Sequence, residues 1–88
     1  MKYEGSWKED RKEGKGIQYY ENGNKEYDGD WKNDNQDGFG MLFYENEIKA
    51  YEGDFKEGKF DGKGIEYYEN GNKLYEGDYK EKNTMVKE

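Results

Sequence analysis

Large aromatic residues and glycines recur along this chain, and they alternate with charged residues. From Tyr27 the order is Tyr, Asp, Gly, Asp, Trp, Lys, so every second side chain is apolar or absent. A period of two is typical of a β-strand with one apolar face and one wet face. Ile17 and Tyr19 alternate with Gly16 and Gln18 in the same way. The pattern predicts strands throughout and no helix.

The whole pattern returns every 24 residues, as the spacing of the leading tyrosines shows. Such a period indicates one supersecondary unit copied along an axis. The full copies span residues 3–26, 27–50 and 51–74, and a half copy spans residues 75–80. We therefore predict a single domain over residues 1–80. Residues 81–88 have lost the glycine pair, and we expect them to form a frayed tail.

Within each copy, a hairpin loop is predicted between the two strands. The loop sequence YENGNK contains Asn-Gly, a strong hairpin signal because both residues tolerate a positive φ. A two-residue loop at Asn22 and Gly23 would put Ile17 and Tyr19 on the acidic face. An odd-length loop, with Gly23 in a left-handed conformation, instead puts both side chains on the face of Tyr27. We predict the odd-length loop.

The repeated hairpins predict an all-β fold: an elongated, single-layer antiparallel sheet of roughly seven strands, with one aromatic and one charged face. Charged stretches such as KNDNQDG are predicted to be surface loops between hairpins. Glycine pairs recur where a ring could lie over the backbone of the next strand and a Cβ would push it away. The alternative is that these glycines serve only turns. The pairs are Gly14/Gly16, Gly38/Gly40 and Gly62/Gly64.

Composition narrows the chemistry that this chain can perform. It has 15 Lys and Arg against 22 Asp and Glu, a formal charge of -7, which disfavours nucleic acid and anionic lipid as partners and suits cations and basic peptides. It has no cysteine and no histidine, so thiolates, the commonest metal ligand and the usual neutral-pH base are missing. Without an apolar run of membrane-spanning length, we expect a soluble, cytoplasmic protein.

No catalytic or metal motif stands out in the sequence. Asn33, Asn35, Asp37 and Gly38 resemble the start of a calcium loop, but the residue at its twelfth position is Tyr44 and not a bidentate glutamate. The carboxylates are numerous but none lies in an apolar sequence setting that would raise its pKa. We expect no metal, no cofactor and no enzymatic activity.

The Tyr-x-Gly-x-Trp and Gly-x-Gly positions closely resemble those of MORN repeat proteins (membrane occupation and recognition nexus) over residues 3 to about 80. The resemblance implies repeated β-hairpins with an aromatic-lined groove, and roles in scaffolding, self-association and peptide binding, with phospholipid binding as an older proposal. The glycine usual three residues after Trp is Asp10, Asp34 and Lys82 here, and the loop glycine of the second copy is Glu47. The period is one residue longer than in many relatives, which we assign to the hairpin loop.

The candidate binding surface is the aromatic face, because nothing else in a single-layer sheet would cover it. We predict a scaffold that binds a protein or peptide, or a second copy as a homodimer, through this face and the terminal edge strands. The rings could alternatively serve only to hold the sheet together. The predicted site residues are Tyr3, Trp7, Tyr19, Tyr27, Trp31, Phe43, Tyr51, Phe55, Tyr67, Tyr75 and Tyr79.

The sequence leaves two other classes of partner open. Phosphoinositide headgroups could meet either of two lysine rows, but acidic residues flank both rows, so locally neutralised lysines are the favoured interpretation. Carbohydrate could stack on the exposed rings. The two rows consist of Lys25, Lys49 and Lys73, and of Lys8, Lys32, Lys56 and Lys80.

Overall fold

The chain folds into one open antiparallel sheet whose strands follow in chain order, in a computed structural model that describes residues 2–83. This confirms the all-β, single-layer prediction. Over those residues there is no helix that is long and apolar enough to cross a membrane. The strands are β1 (Lys2–Lys8), β2 (Arg11–Tyr19), β3 (Lys25–Lys32), β4 (Asn35–Phe43), β5 (Lys49–Lys56), β6 (Lys59–Tyr67) and β7 (Lys73–Asn83).

The last strand is longer than the sequence suggested. β7 continues through Asn83, past position 80 where the predicted domain ends, because β6 supplies partners there: Phe60 pairs with Lys82 and Lys59 with Asn83. The predicted tail is therefore strand over residues 81–83. Its remaining part, residues 84–88, lies outside the described residues.

The hairpin loop within each copy has an odd number of residues, as predicted. In the first copy, the Tyr20 N–H donates to the Asn24 carbonyl at 2.8 Å and the Gly23 N–H donates to the Tyr20 carbonyl at 3.0 Å. Three residues therefore lie between the paired positions, and Gly23 has a left-handed φ of 92°. Glu47 replaces this glycine in the second copy, keeps a φ of 74° and makes the equivalent hydrogen bond to Tyr44.

Directly after this loop, a β-bulge shifts the register of the sheet by one residue. Tyr19 pairs with Lys25. The next pair joins Gln18 to Tyr27, so Glu26 is an extra residue without a partner. Because side chains alternate between faces, one extra residue exchanges the two faces of a strand relative to its neighbour. Gln18 therefore shares the face of Tyr27.

The prediction that Ile17 and Tyr19 lie on the face of Tyr27 is wrong, because the bulge reverses the effect of the odd-length loop. The same bulge recurs at Ala50 and Leu74 in the later copies. Both faces of the sheet therefore carry apolar side chains, and the predicted division into an aromatic and a charged face is too simple. The side chains placed on the opposite face are Ile17, Tyr19, Met41, Phe43, Ile65 and Tyr67.

Tight turns, and not the predicted surface loops, connect one copy to the next. Lys32 pairs with Asn35, which leaves only Asn33 and Asp34 in the turn. Both turn residues have positive φ, 51° and 69°, as a type I′ hairpin turn requires. The turns after β1 and β5 have the same form. The charged stretches are therefore mostly strand.

Side chains also tie each copy to the next. The Tyr44 hydroxyl donates to the carbonyl of Tyr67 at 2.7 Å, and the Asn46 amide donates to the carbonyl of Glu69 at 3.2 Å. At the other end of the strands, an Asp37 carboxylate oxygen accepts the Glu57 N–H at 3.2 Å. Equivalent tyrosine and carboxylate bonds join the first copy to the second, and there the side-chain amide bond comes from Asn24, which donates to the carbonyl of Glu45. These interrepeat hydrogen bonds keep neighbouring hairpins in register.

Candidate functional site

The leading tyrosine of each copy lies over glycines of its own strand and the next. Gly29 pairs with Gly40, and the Tyr27 ring passes over this pair so closely that a Cβ on Gly40 would overlap it. The Tyr27 hydroxyl then donates to the carbonyl of Asp30 at 2.8 Å. The second glycine of each predicted pair is thus a ring-packing position. The first, such as Gly38 with φ 102°, is needed for its backbone conformation.

These tyrosines and the rings that follow them form a continuous row, which we call the aromatic ladder. Tyr27 meets Trp31 edge to face with ring centroids 5.0 Å apart, and it meets Phe55 of the next copy at 5.1 Å. Edge-to-face contacts at this distance add to the burial energy of the rings. The ladder comprises Tyr3, Trp7, Tyr27, Trp31, Tyr51, Phe55, Tyr75 and Tyr79.

One further ring strengthens the ladder and was missed on the sequence. Phe60 stacks on Tyr51 with centroids 3.7 Å apart and planes within 8°. It is completely buried, whereas the equivalent residues of the earlier copies are Lys12 and Gln36. Phe60 lies in a charged stretch that was predicted to be a surface loop, and for this reason it was not predicted to be part of the aromatic face.

Exposure along the ladder rises from its centre to its ends. Tyr27 and Tyr51 are fully buried, but Tyr75 is 47% exposed. Trp7 on β1 is 56% exposed, whereas Trp31, at the same position of the next copy, is 5% exposed. The predicted site therefore divides into central rings that other residues cover and end rings that remain open to solvent.

Polar groups lie among the rings at both ends of this ladder face. Near β1, the Lys12 ammonium lies 4.8 Å from the Trp31 ring centroid and donates to the Gln18 side-chain oxygen at 3.1 Å. Near β7, the buried Glu66 carboxylate accepts the Tyr79 hydroxyl at 3.1 Å. The Lys82 ammonium donates to the same carboxylate at 3.0 Å. Sequence reasoning missed Glu66 because the bulge, which sets its face, leaves no mark on the alternation.

Burial holds the protons of the two central ladder tyrosines to a more alkaline pH. Loss of solvent raises the pKa of Tyr27 and Tyr51 well above the ordinary value of 10.0, and the nearby carboxylates of Asp30 and Asp54 raise it further. Both hydroxyls therefore stay protonated even where exposed tyrosines begin to ionise. They act as hydrogen-bond donors to the backbone.

The opposite face, which we call the ion-pair face, carries the remaining predicted site residues Tyr19, Phe43 and Tyr67. They are half-buried among charged side chains. The row of lysines after each hairpin loop forms ion pairs on this face: Lys25 with Asp28 at 3.2 Å, Lys49 with Glu52 at 2.7 Å and Lys73 with Glu76 at 2.7 Å. The structure thus separates the predicted site residues onto two faces.

The described part of the chain, residues 2–83, holds no group of three or more Asp or Glu side chains arranged to bind a metal ion. Of the residues that resembled a calcium loop, Asp37 instead holds the backbone of the following copy through the Glu57 N–H. The second lysine row, at positions 8, 32, 56 and 80, is exposed.

The repeats themselves identify the family. The family model described as MORN repeat matches residues 3–25, 27–47 and 51–73, which together are more than half of the chain. The chain belongs to the MORN repeat family. These MORN matches coincide with the three structural copies, and the first gap between them is Glu26, the bulge residue. The assignment of the extra residue of the long period to the hairpin loop stays a prediction.

Membership of the MORN family gives a coarse functional class. MORN repeats suggest a repeat scaffold of a kind often found in protein or membrane interactions. The comparison with curated proteins found no match. Any finer assignment has to come from the surface of the sheet itself.

Proposed function

We propose that this MORN repeat protein is a non-enzymatic scaffold that binds a protein or peptide segment, a second copy included, at β1 or β7 beside the open ends of the aromatic ladder. The observation that carries the proposal is the difference in exposure between Trp7 and Trp31, 56% against 5%, at equivalent positions of the repeat. What covers Trp31 is a neighbouring strand, and a partner strand would cover Trp7.

The contacts of Trp31 show what a partner at β1 would supply. Its indole N–H donates to the carbonyl of Gly16 on β2 at 3.1 Å, and Tyr3 packs against it with centroids 5.3 Å apart. Within residues 2–83 no strand lies on the outer side of β1, and the Trp7 indole N–H has no hydrogen-bond partner there. An unpaired strand edge beside an exposed ring is a template for strand addition.

The outer side of β7 offers a matching arrangement. Tyr51 lies over Gly64 of the next strand, whereas Tyr75 has no glycine-containing strand beyond β7 within the described residues. An antiparallel pair of two β7 strands, with Gly77 opposite Gly77 of the other copy, would place a glycine beneath each Tyr75. Such a contact is self-complementary about a two-fold axis, as homodimer interfaces are.

Self-association can be measured with a probe that the chain already contains. Trp31→Phe leaves Trp7 as the sole indole, and it is a mild change because Phe55 occupies the equivalent position of the next copy. We expect the sedimentation coefficient to rise with protein concentration. If β1 takes part, the Trp7 emission shifts to the blue as its indole is buried.

Two variants then assign the edge that is used. Tyr75→Lys should weaken an association through β7, and Trp7→Lys one through β1. The control is Tyr68→Lys, since Tyr68 is 50% exposed but lies in a hairpin loop. A monomer at every concentration would end the self-association part of the proposal. If the Trp7→Lys, Tyr75→Lys double variant still binds a protein or peptide that the wild-type chain binds, the edge-binding part of the proposal is wrong.

The phosphoinositide alternative gains no support from the lysine row that follows the hairpin loops. The row of Lys25, Lys49 and Lys73 is paired with carboxylates, and the formal charge of the chain is -7. We expect no co-sedimentation with vesicles that contain phosphoinositides at low ionic strength. Binding that weakens with added salt would instead favour the membrane class.

A further inference from the structure

A repeated ion pair on the ion-pair face is broken in the second copy. Lys15 of β2 lies directly across from Asp30 of β3, and their charged atoms are 2.7 Å apart. Lys63 and Asp78 are paired in the same way at 3.0 Å. The second copy has a phenylalanine at the position of the lysine.

This phenylalanine, Phe39, lies directly across from Asp54 and is 49% exposed. Asp54 makes no ion pair within residues 2–83. One of its carboxylate oxygens, Oδ2, accepts the Lys63 N–H at 3.3 Å, as the equivalent oxygen of Asp30 accepts the Phe39 N–H at 3.3 Å. A backbone N–H therefore orients the Asp54 carboxylate, but Asp54 lacks the lysine partner that the equivalent residues Asp30 and Asp78 have.

Phe39 also borders a groove that runs across β5, β6 and β7. The groove is about 410 Å³ in volume, and the backbone at Gly53, Gly64 and Gly77 forms part of its lining. Its remaining lining residues are Phe39, Glu52, Lys63, Ile65 and Glu76. The exposed ring lines this groove, and the Asp54 carboxylate lies across from the ring on the neighbouring strand, next to the lining residue Gly53. None of the ladder rings that carry the proposed function lines this groove.

We propose that Phe39 and Asp54 receive an arginine side chain of a partner protein, whose backbone lies in the groove. A planar guanidinium can stack on the phenylalanine ring and still direct its N–H groups to a carboxylate. The arginine thus restores from outside the charge pair that Lys15 and Lys63 provide within the chain. The formal charge of -7 favours the approach of a basic segment. This surface is distinct from the strand edges.

The chain provides its own internal controls for a titration. The probe is a blocked peptide, Gly-Arg-Gly-Arg-Gly, followed by amide chemical shifts in two-dimensional NMR. We expect saturating shifts at Gly53, Asp54 and Lys63. Shifts should be much smaller at Asp30, because Lys15, at the repeat position of Phe39, already forms an ion pair with it. The same peptide with neutral citrulline in place of both arginines should bind at least about tenfold more weakly.

Two substitutions test the proposed arginine site, one by removing it and one by creating a second site. Phe39→Lys rebuilds the repeated ion pair, so the fold is kept and the peptide shifts at Asp54 should vanish. Lys15→Phe frees Asp30 beside a new ring, and a second set of saturating shifts should appear at Gly29, Asp30 and Phe39. Equal shifts at Asp30, Asp54 and Asp78 of the wild-type chain, or binding unchanged by Phe39→Lys, would overturn the proposal.

A third outcome concerns the occupant. Shifts at Gly53 and Asp54 that depend on protein concentration without peptide would show that a second copy fills the groove, and this too would overturn the proposal. Sedimentation of Phe39→Lys separates this inference from the proposed function. A variant that loses peptide binding but still self-associates leaves the edge-strand proposal untouched.

Discussion

Both faces of the sheet carry apolar side chains that recur with the 24-residue period, yet they bury them differently. On the ladder face, Tyr27 and Tyr51 are completely buried. On the ion-pair face, Tyr19, Phe43 and Tyr67 are only half-buried. The first set lies on β3 and β5 and the second on β2, β4 and β6, which are neighbouring strands of the same sheet.

The glycines account for this difference. Tyr3, Tyr27 and Tyr51 each lie along their strand, over the glycine pair that joins it to the next strand. There each hydroxyl reaches a backbone carbonyl and each ring meets a ring of the next copy. On the other face, charged side chains such as Lys49 and Glu52 stand between the apolar ones. In this single-layer sheet, a ring is buried where it lies over glycines, so the number of rings on a face does not by itself determine how deeply they are buried.

The largest expected effect comes from truncating a matched pair of tyrosines, one on each face. Tyr51→Ala should lower the free energy of unfolding by about 3–5 kcal/mol, because it leaves a cavity beneath Phe60 and Phe55. Tyr67→Ala, on the ion-pair face, should cost no more than about 1.5 kcal/mol. Urea denaturation of both variants tests this. Equal losses would show that the two faces contribute alike.

A second comparison introduces the same side chain on each face of one strand. Gly40→Val places branched atoms inside the Tyr27 ring and should cost at least about 2 kcal/mol. Met41→Val, at the next residue and on the other face, should cost less than about 1 kcal/mol. Thermal denaturation followed by circular dichroism measures both. An unchanged melting temperature for Gly40→Val would mean that the ring does not pack on the glycine.

The ladder should also make the fold sensitive to alkali. The folded chain holds the Tyr27 and Tyr51 protons to a higher pH than the unfolded chain, whose tyrosines titrate near 10.0. The contribution of these two tyrosines to the free energy of unfolding should therefore be constant below that pH and fall above it, by roughly 1 kcal/mol per buried tyrosine near pH 11. Denaturant midpoints measured from neutral to alkaline pH report the slope.

Tyr27→Phe provides the control for this pH dependence. It removes one titrating hydroxyl and keeps the ring, so the alkaline slope should become shallower. A slope that is identical in Tyr27→Phe and the wild-type chain would assign the alkaline loss to other groups.

The smallest effect is expected for an ion pair. Glu52→Gln removes the partner of Lys49, and both side chains are about one-third exposed, so the cost should be about 0.5 kcal/mol or less. Added salt should reduce the difference in the free energy of unfolding between this variant and the wild-type chain. If urea denaturation shows that Glu52→Gln lowers the free energy of unfolding by more than about 1.5 kcal/mol, the ion-pair face stabilises the sheet in the way that the ladder does.

Much of this architecture could be predicted from the sequence. The repeat spacing gives the strands and their order, Asn22 and Gly23 give the hairpin loop, and Gly40 gives the ring-packing position. Each of these depends on local chemistry, such as a positive φ or a missing Cβ, that a residue type reveals by itself.

The faces of β2, β4 and β6 could not be predicted in the same way. A bulge at Glu26 adds one unpaired residue, and no residue type marks it, so the alternation remains regular while the partner changes. The turn at Asn33 and Asp34 was missed for a different reason: its charge suggested a loop, although Asn and Asp tolerate positive φ and so favour a type I′ turn. Phe60 was overlooked together with that stretch.

The interrepeat hydrogen bonds have a mechanical consequence. The Tyr44 hydroxyl and the Asp37 carboxylate each tie one hairpin to the hairpin that follows it, and none of the interrepeat bonds described above skips a repeat. The stability of proteins connected in this way is approximately a sum over single repeats and over the junctions between neighbours. Tension along such a ribbon would be carried in series, so its weakest junction sets the load at which it begins to peel.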